Sequence, residues 1–218
     1  KLNQAANGVP VVRDSYSLSN DGLGNITKTT ITQKFNADIW ARWGKTVLYE
    51  TESNSFSSNE FDLTGGKGID DPWKSKQYGE GDIYHPIPKV DGSKNVSTLF
   101  TNYHNAYDVD TAAPIGGETG TPFATGSSWS YDGTAIERYK GDETNFGYTK
   151  SDIYQKFNAD VWKNTGITRI EKSISRSYSS NAERKGEFVD PIKAKDNSYN
   201  RSYAVTDYVN SYDLETAQ

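Results

Sequence analysis

The side chains best suited to chemistry in this chain are carboxylates that occupy matching positions in two similar segments. They alternate along YDVDTA (107–112) and YDLETA (212–217), and another matching pair precedes a proline in each half. Alternating carboxylates can supply the hard oxygen ligands that Ca²⁺ prefers, although no complete EF-hand loop is present. The alternative is an acidic strand edge that prevents unwanted pairing. The candidate calcium ligands are Asp71, Asp108, Asp110, Asp190, Asp213 and Glu215.

Aromatic side chains in turn-rich stretches form a second candidate group. A flat, exposed ring can stack on a sugar ring, and the same ring also serves well at a protein interface. The alternative is that these rings seal small hydrophobic clusters. The candidate ligand-binding residues are Trp43, Trp73, Tyr84, Trp129 and Tyr131.

Other kinds of chemistry have little support in the residues. The chain has no Cys and only two His, His85 and His104, and neither lies in a recognisable catalytic motif. No glycine-rich phosphate-binding loop is present. We therefore expect that the protein is not an enzyme and needs no cofactor apart from a possible calcium ion.

Charge and composition narrow the range of partners. The net charge is −5 with dispersed lysines, which makes nucleic acid a poor partner. No apolar run approaches the length that spans a bilayer. The chain starts at Lys1 without an initiator Met, which predicts removal of a leader peptide or trimming of the chain. A Cys-free chain rich in Ser, Thr, Tyr and Asn favours an extracellular or cell-surface protein.

The clearest pattern is an octapeptide that occurs twice, QKFNADIW at 33–40 and QKFNADVW at 155–162. The carboxylate-bearing blocks follow in the same order, which indicates a tandem repeat of a unit of small-domain size. The predicted organisation is a first β unit at 1–112 with an N-terminal arm at 1–12, a Gly/Thr/Ser-rich linker at 113–128, and a second β unit at 129–218.

The octapeptide predicts a strand rather than a helix. Apolar and polar residues alternate from Ile31 to Ile39, as in a half-buried strand, although a spacing of four also fits a helix. We expect long hairpins with Gly44 and Gly166 near their tips, and Phe35 and Phe157 buried at equivalent positions. The returning strands are rich in Ser and Thr, which suits a solvated sheet face.

The predicted fold is all-β, with two tandem duplicated antiparallel units of sandwich or barrel type. Such units are similar in general character to those of surface-layer, adhesin and fibre-subunit proteins, although no motif indicates one family. The first hypothesis is an exported structural subunit of a filament, pilus-like fibre or surface layer, binding other copies of itself by β-strand contacts. The alternative is a carbohydrate-binding or adhesive module that binds glycans with its loop aromatics.

Overall fold

The computed structural model describes residues 3–4, 10–58, 60–61, 77–78, 81–133, 147–208 and 213. These residues are mostly β, which confirms the predicted β-rich class. The helices among them are α1 (Ala37–Trp43) and α2 (Ala159–Thr165). The strands are β1 (Asn3–Gln4), β2 (Pro10–Asn20), β3 (Ile26–Phe35), β4 (Leu48–Ser58), β5 (Glu60–Phe61), β6 (Gln77–Tyr78), β7 (Lys94–Asn102), β8 (Phe123–Tyr131), β9 (Tyr148–Phe157), β10 (Ile170–Ser179) and β11 (Arg201–Asp207).

Most of these strands form one open antiparallel sheet in the order β1-β2-β3-β4-β7-β8-β9-β10-β11, and β5 pairs only with β6. The two separate sandwich or barrel units of the prediction are not seen in the described residues. The reason is that β7 and β8 pair along their whole length, which joins the two halves through backbone hydrogen bonds. Strand β8 begins at Phe123, so residues 123–128 of the predicted linker belong to the sheet.

The octapeptide is a strand only up to its phenylalanine, and the predicted strand from Ile31 to Ile39 is wrong beyond that point. Helix α1 begins directly after Asn36, whose Oδ1 accepts hydrogen bonds from the N–H groups of Asp38 (3.1 Å) and Ile39 (3.0 Å). The second copy is capped in the same way by Asn158. An asparagine N-cap satisfies orphan backbone donors, and this short local signal overrides the alternating pattern.

Each helix ends at the glycine predicted to lie near a hairpin tip. Gly44 and Gly166 adopt the left-handed conformation, at φ 63° and 69°, and close the helix as C-caps. The flanking strands pair in antiparallel register, β3 with β4 and β9 with β10. The predicted hairpin legs are therefore correct, with a seven-residue helix in place of a tight turn.

The loops that follow β4 and β10 also match each other. Segment GDIYHPI (81–87) corresponds to GEFVDPI (186–192), and in each the final isoleucine N–H donates to a strand carbonyl, at 2.9 Å and 3.1 Å. This match corrects the sequence alignment, which paired Asp190 with Asp71. The structural counterpart of Asp190 is His85, because both close the same kind of turn onto the residue three positions earlier.

The outer strands of the two halves are equivalent as well. Strand β2 ends in SLSN and β8 in SWSY, and each is followed by Asp-Gly, with Gly22 and Gly133 at φ 81° and 79°. Strands β7 and β11 lead into Tyr103 and Tyr208, whose N–H groups donate to equivalent carbonyls, at 3.0 Å and 2.8 Å. Each half therefore contributes four consecutive strands, β2-β3-β4-β7 and β8-β9-β10-β11.

Buried residues lie at both ends of the long strands. One end holds a cluster of Phe56, Val96, Trp129 and Tyr131, and at the other end Ile39 of α1 and Val161 and Trp162 of α2 are each buried. The two predicted core phenylalanines behave differently. Phe157 is buried as expected, whereas Phe35 is only half-buried.

Candidate functional site

One face of the sheet carries an unbroken row of hydroxyl groups. Directly opposed residues on neighbouring strands share a face, so the pairing registers define this row across all eight long strands. We call the face that carries it the hydroxyl face. Its central row is Ser17, Thr29, Ser55, Ser97, Ser128, Ser151, Ser177 and Ser202.

Among the paired residues of the long strands, charge is confined to the opposite side, which we call the charged face. The paired residues of the hydroxyl face include no Asp, Glu, Lys or Arg from Ser15 to Ser19 of β2 through to β11. The charged face holds side chains such as Lys34, Glu50, Lys156 and Arg176. This segregation follows from the two-residue period of a strand and gives the sheet two chemically distinct sides.

The predicted ligand-binding aromatics are not brought together. Trp43 and Tyr84 are 49% and 73% exposed, and the indole N–H of Trp43 donates to the Val109 carbonyl at 3.0 Å. Trp129 and Tyr131 are core residues whose rings stack on Tyr148, so they offer no ring face to a ligand. Trp73 lies outside the described residues.

The predicted calcium ligands do not form a common site among the described residues. The carboxylate of Asp108 accepts hydrogen bonds from the N–H groups of Asp110 and Thr111, both at 2.8 Å, and so closes a turn. Asp110 forms an ion pair with Arg42 of α1. The carboxylates of Asp190 and Asp213 are exposed, whereas Asp71 and Glu215 lie outside the described residues. Among the described residues, no group of three or more His, Asp or Glu side chains could hold a metal ion.

A small polar cluster occurs at the helix end of the charged face. Glu50 forms an ion pair with Lys34, and its Oε2 lies 3.2 Å from Nε2 of His104. Burial opposes ionisation of Glu50, but hydrogen bonds from Lys34 and His104 outweigh it and lower the carboxyl pKa below its ordinary value. The His104 ring stacks on Tyr49 at 4.1 Å. The cluster joins β3, β4 and the segment after β7 through the Lys34–Glu50 ion pair and the Glu50–His104 hydrogen bond.

The most distinctive feature of the described sheet is the exposed outer edge of β11. All seven residues of β11 are exposed, and no described strand pairs with its outer side. The carbonyl of Asn200 and the N–H of Tyr208 both point to β10. Because hydrogen bonding alternates along an antiparallel strand, the outward backbone groups of β11 include those of Arg201, Tyr203 and Val205.

Strand β2 forms the opposite edge of the sheet. Only Pro10 and Val11 pair with β1, and no described strand covers the outer side of β2 beyond them. The N–H of Asp21 donates to the Asn25 carbonyl at 3.2 Å, which shows that odd-numbered residues of this part of β2 point to β3. The outward backbone groups therefore belong to Tyr16, Leu18 and Asn20. The predicted N-terminal arm contributes β1 to its own sheet.

Sequence reasoning missed an aromatic and arginine cluster beside β11. The guanidinium of Arg176 lies over the rings of Phe188, at 5.6 Å, and Tyr203, at 6.0 Å. The ring of Tyr203 is 55% exposed, and Val205 beside it is 48% exposed. The alternating pattern of RSYAVTD was the available signal, because an exposed edge strand with apolar residues is a template for pairing with another chain.

Because comparison with known proteins finds no match, a function can be proposed only from the structure of this chain. No family model, no curated protein and no solved structure matches the chain. Within the described residues, no helix is both long and apolar enough to cross a membrane. The features available for a functional proposal are therefore the two sheet edges and the two faces.

Proposed function

We propose that the protein is an exported structural subunit of a cell-surface assembly, a filament, pilus-like fibre or layer, whose copies associate through their sheet edges. One observation carries this proposal: the sheet is open, and β11 presents outward backbone groups along seven exposed residues. A row of unpaired N–H and C=O groups is a template for pairing with another chain.

The composition of β11 supports a contact rather than a protected edge. Natural edge strands are blunted by proline, bulges or charges in the middle of the strand. In β11 the charges are confined to the ends, at Arg201 and Asp207, and Ser-Tyr-Ala-Val-Thr between them is uncharged. Its pairing with β10 runs without a bulge.

The matching halves support the same function. We infer that the chain arose by tandem duplication of a four-strand unit, β2-β3-β4-β7 and its counterpart β8-β9-β10-β11. Repetition of a unit inside one sheet lengthens the sheet without changing its cross-section. A subunit of this form adds eight strands at each step of a growing assembly.

The test removes one outward donor from β11. Val205→Pro deletes an N–H that points away from β10, so the fold retains its ladder while the contact edge loses a hydrogen bond. We expect a folded variant by circular dichroism that no longer forms the high-molecular-weight species of the unmodified protein in sedimentation velocity and electron microscopy. The matched control is Val205→Thr, which keeps the N–H and a β-branched side chain.

Two results would contradict the proposal. One is an unmodified protein that stays monomeric at high concentration. The other is a Val205→Pro variant that is folded and assembles as well as Val205→Thr.

A second candidate function is glycan binding by exposed aromatics. The observation that favours it is the exposure of Trp43 and Tyr84. Trp43 is the last residue of helix α1 and does not lie in the turn-rich stretch that the sequence predicted. If it holds, Trp43→Ala and Tyr84→Ala each weaken retention of the protein on cell-wall polysaccharide. Unchanged retention of both variants would exclude these two rings as the glycan site.

A further inference from the structure

We propose that β11 of one copy pairs antiparallel with β2 of the next copy, in the register that β7 and β8 already adopt within the chain. The proposal rests on the proposed function and names both partner surfaces of the contact. The result is one sheet extended head-to-tail, in which every copy has the same orientation. Such a heterologous contact propagates into a fibre unless its rotation closes a ring.

The chain already contains this junction once. Strand β7 is the last strand of the first half, as β11 is of the second, and β8 is the first strand of the second half, as β2 is of the first. Ser97 of β7 lies opposite Ser128 of β8. The equivalents of these two serines are Ser202 and Ser17, which end the hydroxyl row on its two sides.

Strand direction and hydrogen bonding both permit the same junction between copies. Eight alternating long strands leave β11 and β2 running in opposite directions, so a translated copy continues the antiparallel order. The outward backbone groups belong to Tyr203 on β11 and Tyr16 on β2, and both residues lie on the charged face. Pairing these groups keeps the hydroxyl faces of two copies on the same side, with Ser202 opposite Ser17.

The helices provide a second, independent observation. Trp162 of α2 is almost fully buried because the segment after β7 covers it, with the Tyr103 ring at 5.9 Å and the Tyr107 ring at 5.3 Å. Its equivalent in α1, Trp40, is only half-buried. In the proposed contact, Tyr208 after β11 would approach Trp40 of the next copy as Tyr103 approaches Trp162.

The contact between copies is more polar than the internal junction. Trp129 and Tyr131 of β8, which anchor a buried cluster, correspond to Leu18 and Asn20 of β2. The opposed pair Tyr16 and Tyr203, 49% and 55% exposed in one copy, adds an aromatic cross-strand contact. The intermolecular junction is therefore weaker than the internal one, and assembly depends on protein concentration.

The test uses disulfide trapping in a chain that has no Cys. Serines opposed in a non-hydrogen-bonded pair have Cα atoms about 4.5 Å apart, within the range of a disulfide. In one copy Ser17 and Ser202 are separated by seven strand spacings, about 34 Å. Under mild oxidation we expect S17C/S202C to form a ladder of covalent oligomers on non-reducing gels.

Matched cysteine variants test which residues of β11 and β2 lie opposite each other and whether the contact between copies is head-to-tail. S97C/S128C, opposed inside one chain, is the positive control and forms an intramolecular disulfide. S15C/S202C and S19C/S202C keep the cysteine on the same face of β2 but move it two residues from position 17. Both variants should cross-link at least several-fold less than S17C/S202C. S17C alone and S202C alone should give no more than background dimer.

The outcomes separate this inference from the proposed function. A ladder specific to S17C/S202C supports the inference. Assembly without that ladder, a dominant dimer from S202C alone, preference for another register, or a cross-linked monomer would each overturn it. If the S97C/S128C control forms its disulfide and the unmodified protein does not assemble, the proposed function itself fails.

Discussion

At the residue scale, two tyrosines, Tyr107 and Tyr178, are held in environments that disfavour the ionised phenolate. The hydroxyl of Tyr178 donates to Asp152 at 3.0 Å, and burial together with that hydrogen bond raises the pKa of Tyr178 to about 12. Burial, with a smaller contribution from Tyr103, raises the pKa of Tyr107 to about 12. In both residues the folded state favours the neutral phenol.

The first prediction concerns alkaline pH. An unfolded tyrosine ionises near pH 10, so between about pH 10 and pH 12 the folded state holds more protons than the unfolded state. The free energy of unfolding should therefore fall as pH rises through this window, whereas below it the contribution is fully present. We expect Tyr107→Phe to make that fall shallower in urea unfolding measured from pH 9 to 11.5. The exposed Tyr84→Phe is the control, and equal slopes for the two variants would contradict the assignment.

At the element scale, each half is built on a strand, a short helix and a returning strand. A helix of seven residues is marginal in water, so caps and packing must hold α1 and α2 in place. The backbone N–H of Asn36 donates to the Val47 carbonyl at 2.9 Å, and Asn158 N–H donates to Arg169 at 2.7 Å. The capping residue thus also joins the strand before the helix to the chain after it.

The second prediction follows from this dual role. Asn36→Ala and Asn158→Ala should each lower the free energy of unfolding by about 1 kcal/mol, because each removes the side-chain acceptor for two helix N–H groups. Asn158→Asp keeps an acceptor oxygen and should stay close to the unmodified protein in urea unfolding. Equal losses from the Ala and Asp variants would show that the cap is not the source of the effect.

At the scale of the whole molecule, the two halves share one sheet. The β7–β8 junction is paired as completely as the pairs inside each half, because every residue of β7 from Lys94 to Asn102 has a partner on β8. Side chains cross the junction too: Arg184 donates to the carbonyls of Ile83 and Tyr84, and Trp129 shares a buried cluster with Phe56 and Val96. The halves are therefore coupled by both backbone and side-chain contacts.

The third prediction is cooperative unfolding of both halves. Phe157→Ala removes a buried ring from the second half and should cost about 3–5 kcal/mol. Because the halves are coupled, we expect amides of β3–β4 and β9–β10 to lose hydrogen-exchange protection at the same, lowered urea concentration. Full protection of β3–β4 while β9–β10 exchanges would mean that the halves unfold separately. Phe35→Ala, at the half-buried equivalent, should cost less.

The sequence by itself determined the features that depend on neighbours a few positions apart. The repeated octapeptide, the hairpin legs and the positions of Gly44 and Gly166 were readable because each rests on a local pattern. The hydroxyl face follows from Ser and Thr at every second position. The helix after Asn36 was also locally encoded, but its cap was hidden by an alternation that continued to Ile39.

Only the tertiary structure decided which strands meet. The alternating pattern of β7 and β8 specifies a face for each residue but not a partner strand, so it could not distinguish one continuous sheet from two separate units. The burial of the aromatic residues could not be predicted from the sequence for the same reason. The indole N–H of Trp129, for example, donates to the carbonyl of Asn181, which is far away in sequence. Tyr203 remains exposed because no described strand lies beyond β11. Burial depends on long-range neighbours, and those are set by the pairing of strands.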